Sequence, residues 1–272
     1  KVDSVNLIFS PIRTTRSIQY KSEDLLLGGE AHEKAFFDAI DKARSRIIIH
    51  SKFISFKQSR NILEKLKVGF NRVSMYYVML CKSVNKNESN MTRMYAEKRH
   101  YLIKDIGLSD RISVNLNSTR SHSKILFNDT GDPNKYVAVV GSCNWLSSGF
   151  GSFEASVRLR DSGVVSDIAA DIAELARPRD GQIPDLSSEL TRLSKKLDLA
   201  SSGGGARRGT AQVIVGPGHA KCLLEARDSA QSRIVILSHR LGVAAKPVLR
   251  PLLTAACEKN VSAEVYYGRL SD

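Results

Sequence analysis

Residues 32–53 align without gaps to residues 219–240, at a constant offset of 187 positions, and ten of the 22 pairs are identical. Unrelated sequences of average composition would share about one or two. A chain that carries one segment twice is expected to fold it twice in the same way, so this repeat constrains the architecture before any single residue is considered. Each copy reads as a helix followed by a strand. Phe36, Phe37, Ile40 and Ala43 fall on one face at helical spacing, and Arg46-Ile47-Ile48-Ile49 is a strand-length run; Leu223, Leu224, Ala230 and Ile234-Val235-Ile236 repeat the plan. The echo continues, with one residue inserted, into a second helix and strand, where Val73-Ser74 ahead of Tyr76-Tyr77 matches Val261-Ser262 ahead of Tyr266-Tyr267.

Between these landmarks the pattern predicts a helix over 88–104, a short strand over 111–114, a hairpin formed by 121–127 and 136–140, a strand over 154–160 and a helix over 164–176. Strands alternating with helices argue an α/β fold with a mixed β-sheet sandwiched by helices. The expected boundaries are a first domain at 1–177, a connection at 178–210 and the beginning of a second repeat at 211–272. The connection holds Pro178, Pro184, a helix with leucines at 186, 190, 193 and 197, and the loose stretch LASSGGGARRGT. Within it, 204–210 imitates the spacing of a phosphate-binding loop but lacks its lysine and follows no strand, so no nucleotide site is expected there.

Lysine and arginine outnumber aspartate and glutamate 41 to 28, a formal charge of +13. Such a surface concentrates polyanions: nucleic acid is the first partner to consider, an anionic phospholipid surface the second. No run approaches the roughly 18 to 20 apolar residues that a membrane-crossing helix needs. The four cysteines, Cys81, Cys143, Cys222 and Cys257, lie far apart without zinc-ligand spacing, which argues against a disulfide framework or a metal site. The chain opens Lys1-Val2-Asp3 with no initiator methionine and no secretory segment. The expectation is a piece of a larger multidomain protein with a cytoplasmic home.

The sharpest local signal is HSKILFND, which places His122 and Lys124 two apart, with Asp129 five further on. On a strand, side chains at i and i+2 share a face, so imidazole and ammonium are expected to point together. Twelve residues past Asp129 the chain reads GSCNW, with Gly141, Ser142 and Asn144 at the end of the partnering strand and Glu154 beyond. One hairpin thus offers a nucleophile or base, a cation, a hydroxyl and an amide to one small volume.

These residues resemble the signature of the phospholipase D superfamily, H-x-K-x4-D followed by G-S-x-N, and the duplicated layout extends the likeness over essentially the whole chain. The resemblance implies a phospholipase D-like first domain, with a second such repeat beginning near 211, and phosphodiester chemistry without a cofactor or metal. His122 would attack phosphorus; Lys124, Asn144 and Ser142 would hold the non-bridging oxygens; Glu154 would orient an imidazole; Asp129 and Gly141 would shape the hairpin. A second histidine must protonate the leaving oxygen. At the repeat spacing a second H-x-K falls at about position 310, beyond Asp272, so the expectation is a pseudo-dimer within a longer chain, or a homodimer.

His50-Ser51-Lys52 also spells H-x-K, but Lys57 stands where the acid should be and no G-S-x-N follows; it is read as structural. His32 and His219, equivalent in the repeat, are read as capping or surface residues. Trp145 is a candidate for stacking on a base or sugar, and Arg120, with Arg93, Lys98, Arg99, His100 and Lys104, for lining a phosphate-tracking groove. The expected function is a phosphodiesterase, foremost a nuclease. The alternatives are a phospholipase D or phosphatidyl transferase acting on anionic lipid, and a non-catalytic nucleic-acid-binding module.

Overall fold

The computed structural model describes residues 15–51, 55, 61–62, 64, 75–80, 86–105, 107–115, 119, 121–177, 185–200, 208–215, 218–242 and 245–271. They form two compact units, 15–211 and 212–271. In the first unit, chain order runs β1 (Arg16–Gln19), β2 (Leu25–Leu27), α1 (Gly28–Lys42), β3 (Arg46–Ser51), β4 (Met75–Leu80), α2 (Lys86–Asp105), β5 (Ile112–Val114), β6 (Ile125–Asp129), β7 (Val137–Gly141), β8 (Ala155–Leu159), α3 (Ser162–Leu175), α4 (Asp185–Leu199) and β9 (Arg208–Ala211).

Seven of these strands make one sheet in the order β2-β8-β7-β6-β3-β4-β5. β3, β4 and β5 run parallel, and β3, β6, β7, β8 and β2 pair antiparallel. This is the expected mixed α/β sheet, and its central strands show why both faces are covered. Ile47, Ile49, Leu126 and Val139 pack with Phe36 and Ile40 of α1 and with Ala96 and Ile103 of α2. Ile48, Phe127 and Ala138, which alternation and register send to the opposite face, are fully buried as well. α3 contacts β7 and packs against α4, and its Val165, Ala169 and Ile172 are fully buried. α3 starts cleanly because the Asp161 carboxylate accepts from the Gly163 and Val164 amides at 3.0 and 3.2 Å.

The first unit also takes in much of the segment read as a connection. α4 buries Leu186, Leu190, Leu193 and Leu197, and β9 pairs antiparallel with β1. Arg16 of β1 bridges to Asp167 of α3 at 2.7 Å and to Asp198 of α4 at 2.9 Å.

In the second unit, α5 (Gly218–Ser229), β10 (Arg233–Gly242), α6 (Lys246–Lys259) and β11 (Ser262–Ser271) build a parallel two-stranded sheet around Ile234, Leu252, Ala255 and Val261. Arg233 lies opposite Ser262, as Arg46 lies opposite Met75. Both members of the pair are shifted by the same 187 positions, so these strands lack the inserted residue that the match of Val73-Ser74 to Val261-Ser262 suggests. Among the described residues no helix is long and apolar enough to cross a membrane.

Candidate active site

β6 begins at Ile125, so His122 and Lys124 lie in the extended segment that enters the strand rather than on the strand itself. They nonetheless meet. The Lys124 ammonium donates to Nδ1 of His122 at 2.7 Å and to the His122 carbonyl at 2.9 Å. Lys124 is 6% exposed, whereas His122 stands at the surface. An ammonium has only donors, so Nδ1 supplies a lone pair and the ring is neutral in this arrangement.

The second motif adjoins the first through the sheet. Ile125 lies opposite Val140, and just beyond the ladder the Gly141 amide donates to the Lys124 carbonyl at 3.3 Å. Ser142, exposed, gives its hydroxyl proton to Glu154 Oε2 and accepts from the Ala155 amide at 3.0 Å. Glu154 therefore has a hydroxyl to orient. Asn144 opens a tight turn, its carbonyl accepting from the Ser147 and Ser148 amides at 2.9 and 2.8 Å. Its side-chain Oδ1 is buried with no hydrogen-bond partner. Beneath these groups Cys143 is fully buried. Burial first, and then the charge of Glu154, push its thiol up to about 12 against the opposing pull of Lys124, so it is an inert packing residue.

Gly141 has a steric reason to be glycine. A Cβ there would overlap the Ala155 carbonyl and Ser156, the residue facing it on β8. Gly141→Ala is expected to cost about 1–3 kcal/mol by forcing β7 and β8 apart. Chemical denaturation of the variant checks it, and an unchanged midpoint would refute that close approach.

Asp129 sits at the far end of β6, roughly 16 Å of strand from Lys124. It is 2% exposed, pairs with Arg46 Nε at 3.2 Å and accepts from the Gly131 amide at 2.8 Å. Arg46 in turn reaches Glu189 of α4 at 3.0 Å. These contacts pin the hairpin turn to β3.

Trp145 corrects the expectation of a stacking platform. It is fully buried in the core that contains Phe36 and Leu126, its ring 5.7 Å from that of His32, so its face meets protein rather than solvent. His32, read as a cap or surface residue, is corrected too: it is buried inside α1, with Nδ1 donating to the Gly28 carbonyl at 2.7 Å and Nε2 accepting from Ser156 Oγ at 2.8 Å. Its repeat counterpart His219 is exposed. Arg99 is buried, its Nη2 donating to the Ser55 carbonyl at 3.4 Å, so it is withdrawn from any solvent groove, whereas Lys98, His100 and Lys104 are exposed on α2. Arg120 and the Arg93 side chain lie outside the described residues. Among the described residues no three His, Cys, Asp or Glu side chains gather as a metal ion would require.

The residue that sequence reasoning passed over is His50. It is fully buried on β3, beside the segment that carries His122. Its Nδ1 lies 2.6 Å from the Ser123 carbonyl and its Nε2 lies 2.7 Å from Thr119 Oγ1.

No protein-family model matches the chain, and no curated protein sequence matches it. Among solved structures, a phosphatidylserine synthase from Haemophilus influenzae Rd KW20 superposes with a TM-score of 0.51 at 13% identity, over 92% of this chain and 63% of the synthase. The chain thus spans less than two thirds of that protein. Two further structures match at lower scores. A polyphosphate kinase from Porphyromonas gingivalis gives a TM-score of 0.44 at 13% identity, over 93% of this chain and 37% of the kinase. NucT from Helicobacter pylori gives 0.35 at 15% identity, over 57% of this chain and 91% of NucT. At such identities the likeness to the synthase is one of backbone alone: this chain shares the α/β fold of that structure, with a mixed sheet covered on both faces.

Proposed function

We propose that the chain is a phosphoryl-transfer module, foremost a nuclease, whose reacting group is the His122 imidazole. The observation that carries this reading is an imidazole at the surface whose Nδ1 is held 2.7 Å from a buried ammonium. A phosphodiester is anionic and a poor electrophile, so a nucleophile needs fixed positive charge next to the phosphorus it attacks. Lys124 supplies that charge at low solvent exposure, where it acts with little screening. When the ammonium turns from Nδ1 to a non-bridging oxygen, it places phosphorus beside the ring. A ring nitrogen then forms the N–P bond as the P–O bond to the leaving group breaks. Water later attacks phosphorus and releases the imidazole.

The leaving oxygen takes a proton from a second imidazole. We assign that imidazole to an equivalent half-site, on a second repeat or a second copy of the chain. The shared register of β3–β4 and β10–β11 supports the repeat. Nucleic acid is favoured as substrate because the chain carries a formal +13.

The test is one cleavage assay with single- and double-stranded DNA, RNA, and vesicles of anionic phospholipid, each acid-quenched to trap phosphohistidine. Nucleic acid is expected to be cut, with the rate falling steeply as salt rises. Turnover of lipid alone would replace the nuclease reading by a phosphatidyl-transfer one. Salt-sensitive binding with no cleavage and no phosphohistidine would replace it by a binding module.

A further inference from the structure

Residues 121–124 present His122, yet lie ahead of the ladder that holds the rest of the hairpin. The last β3–β6 pair is His50 with Ile125, and beyond it the Gly141 amide of β7 reaches the Lys124 carbonyl at 3.3 Å. We propose that His50 is the positioning residue of the site, a latch whose two ring nitrogens grip the segment on either side of His122. This rests on the phosphoryl-transfer reading for its consequence, and on geometry for its existence.

For a neutral ring the hydrogen bonds have one consistent assignment. A carbonyl oxygen accepts, so His50 Nδ1 carries the proton and donates to Ser123 at 2.6 Å. Nε2 is then the acceptor and takes the Thr119 hydroxyl at 2.7 Å. Around these two anchors the segment bonds to itself: Ser121 N to Thr119 Oγ1 at 3.4 Å, Ser123 N to Ser121 Oγ at 3.2 Å, and the two serine hydroxyls to each other at 2.8 Å. The anchors bracket His122 and lie next to Lys124, the two groups whose relative position the chemistry needs. Position 50 is not specified by the repeated helix-strand scaffold, because its counterpart in the second unit is Leu237. Burial, and then the charge of Lys124, hold the ring's pKa down to about 4, which keeps Nε2 an acceptor at neutral pH.

Three variants separate the two nitrogens. Asparagine places an amide N–H where Nδ1 stood, glutamine places a carbonyl where Nε2 stood, and leucine removes both while filling the volume. A displacement of about 1 Å in a reacting group costs on the order of 100-fold in rate. For His50→Leu, kcat for the cleaved phosphodiester is therefore expected to fall roughly 10- to 100-fold with KM within about 2-fold, whereas His50→Asn stays within roughly 5-fold of the parent and His50→Gln falls between them.

Hydrogen exchange gives a readout that needs no turnover. Exchange of the Ser123 and Gly141 amides is expected to accelerate about 10-fold or more in His50→Leu, and much less in His50→Asn, with amides of β3 and of β7 before Gly141 unchanged. If His50→Leu alters neither kcat nor these amides, or if it accelerates exchange everywhere alike, the latch is overturned. If the parent forms no phosphohistidine but the exchange pattern holds, the catalytic reading falls and the latch stands.

Discussion

His122→Ala is expected to lower phosphodiester turnover by roughly 10,000-fold or more and to eliminate the acid-trapped phosphohistidine, while leaving unfolding unchanged. The ring is exposed, so removing it empties no core space. What disappears is the only group in this constellation that can form the N–P bond. Lys124→Met is expected to act through charge: methionine approximates the length of the lysine stem but cannot stabilise negative charge growing on the equatorial oxygens. A loss of roughly 100- to 1,000-fold in kcat follows, as for removal of one preorganised donor. Lys124→Arg should rescue little, because a planar guanidinium does not fit a 6%-exposed pocket shaped for an ammonium 2.7 Å from the ring. Single-turnover kinetics with quench at acid and alkaline pH separates the cases. If His122→Ala still accumulates a phosphorylated histidine, another imidazole is the nucleophile. If Lys124→Met raises KM with kcat unchanged, the lysine binds substrate and transition state equally.

The parts of this molecule that are legible in its sequence are those set by periodicity and local steric rules. The α1–β3 and α5–β10 units show because each repeats one alternation of apolar residues, and the β6–β7 hairpin because Ile125–Phe127 and Val137–Val140 are bounded by turn residues. What periodicity hides is contact across long separations. Leu186, Leu190, Leu193 and Leu197 announce an amphipathic helix but not its partner, and α4 proves to cover α3 instead of leading out of the domain. Trp145 follows directly on Asn144, and nothing local reveals that the turn begun there drives the indole inward onto His32. His50 reads as an H-x-K without its acid. Its role lies in Ser123, 73 positions away, and only the antiparallel register of β3 with β6 brings the two together.

The same buried ring makes stability depend on pH in a predictable direction. In the unfolded chain His50 takes up a proton near 6.5, whereas in the fold burial, and then the charge of Lys124, hold its pKa down to about 4. Between those values the unfolded state binds more protons than the folded one, so stability falls as pH falls through this window and levels off below it. The difference corresponds to about 3 kcal/mol between pH 7.5 and 4. His50→Asn has no ring to titrate, so its unfolding free energy should decline less than the parent's by that amount, most of it appearing between pH 6 and 4.5. Denaturant titrations of both proteins at four pH values measure the gap, since carboxylates and exposed histidines contribute equally to each and cancel in the difference. Parallel curves would mean that the imidazole accepts a proton inside the fold without penalty. Such curves would refute the lowered pKa and the burial cost assigned to the charged ring, while the exchange of the Ser123 and Gly141 amides would still decide the latch.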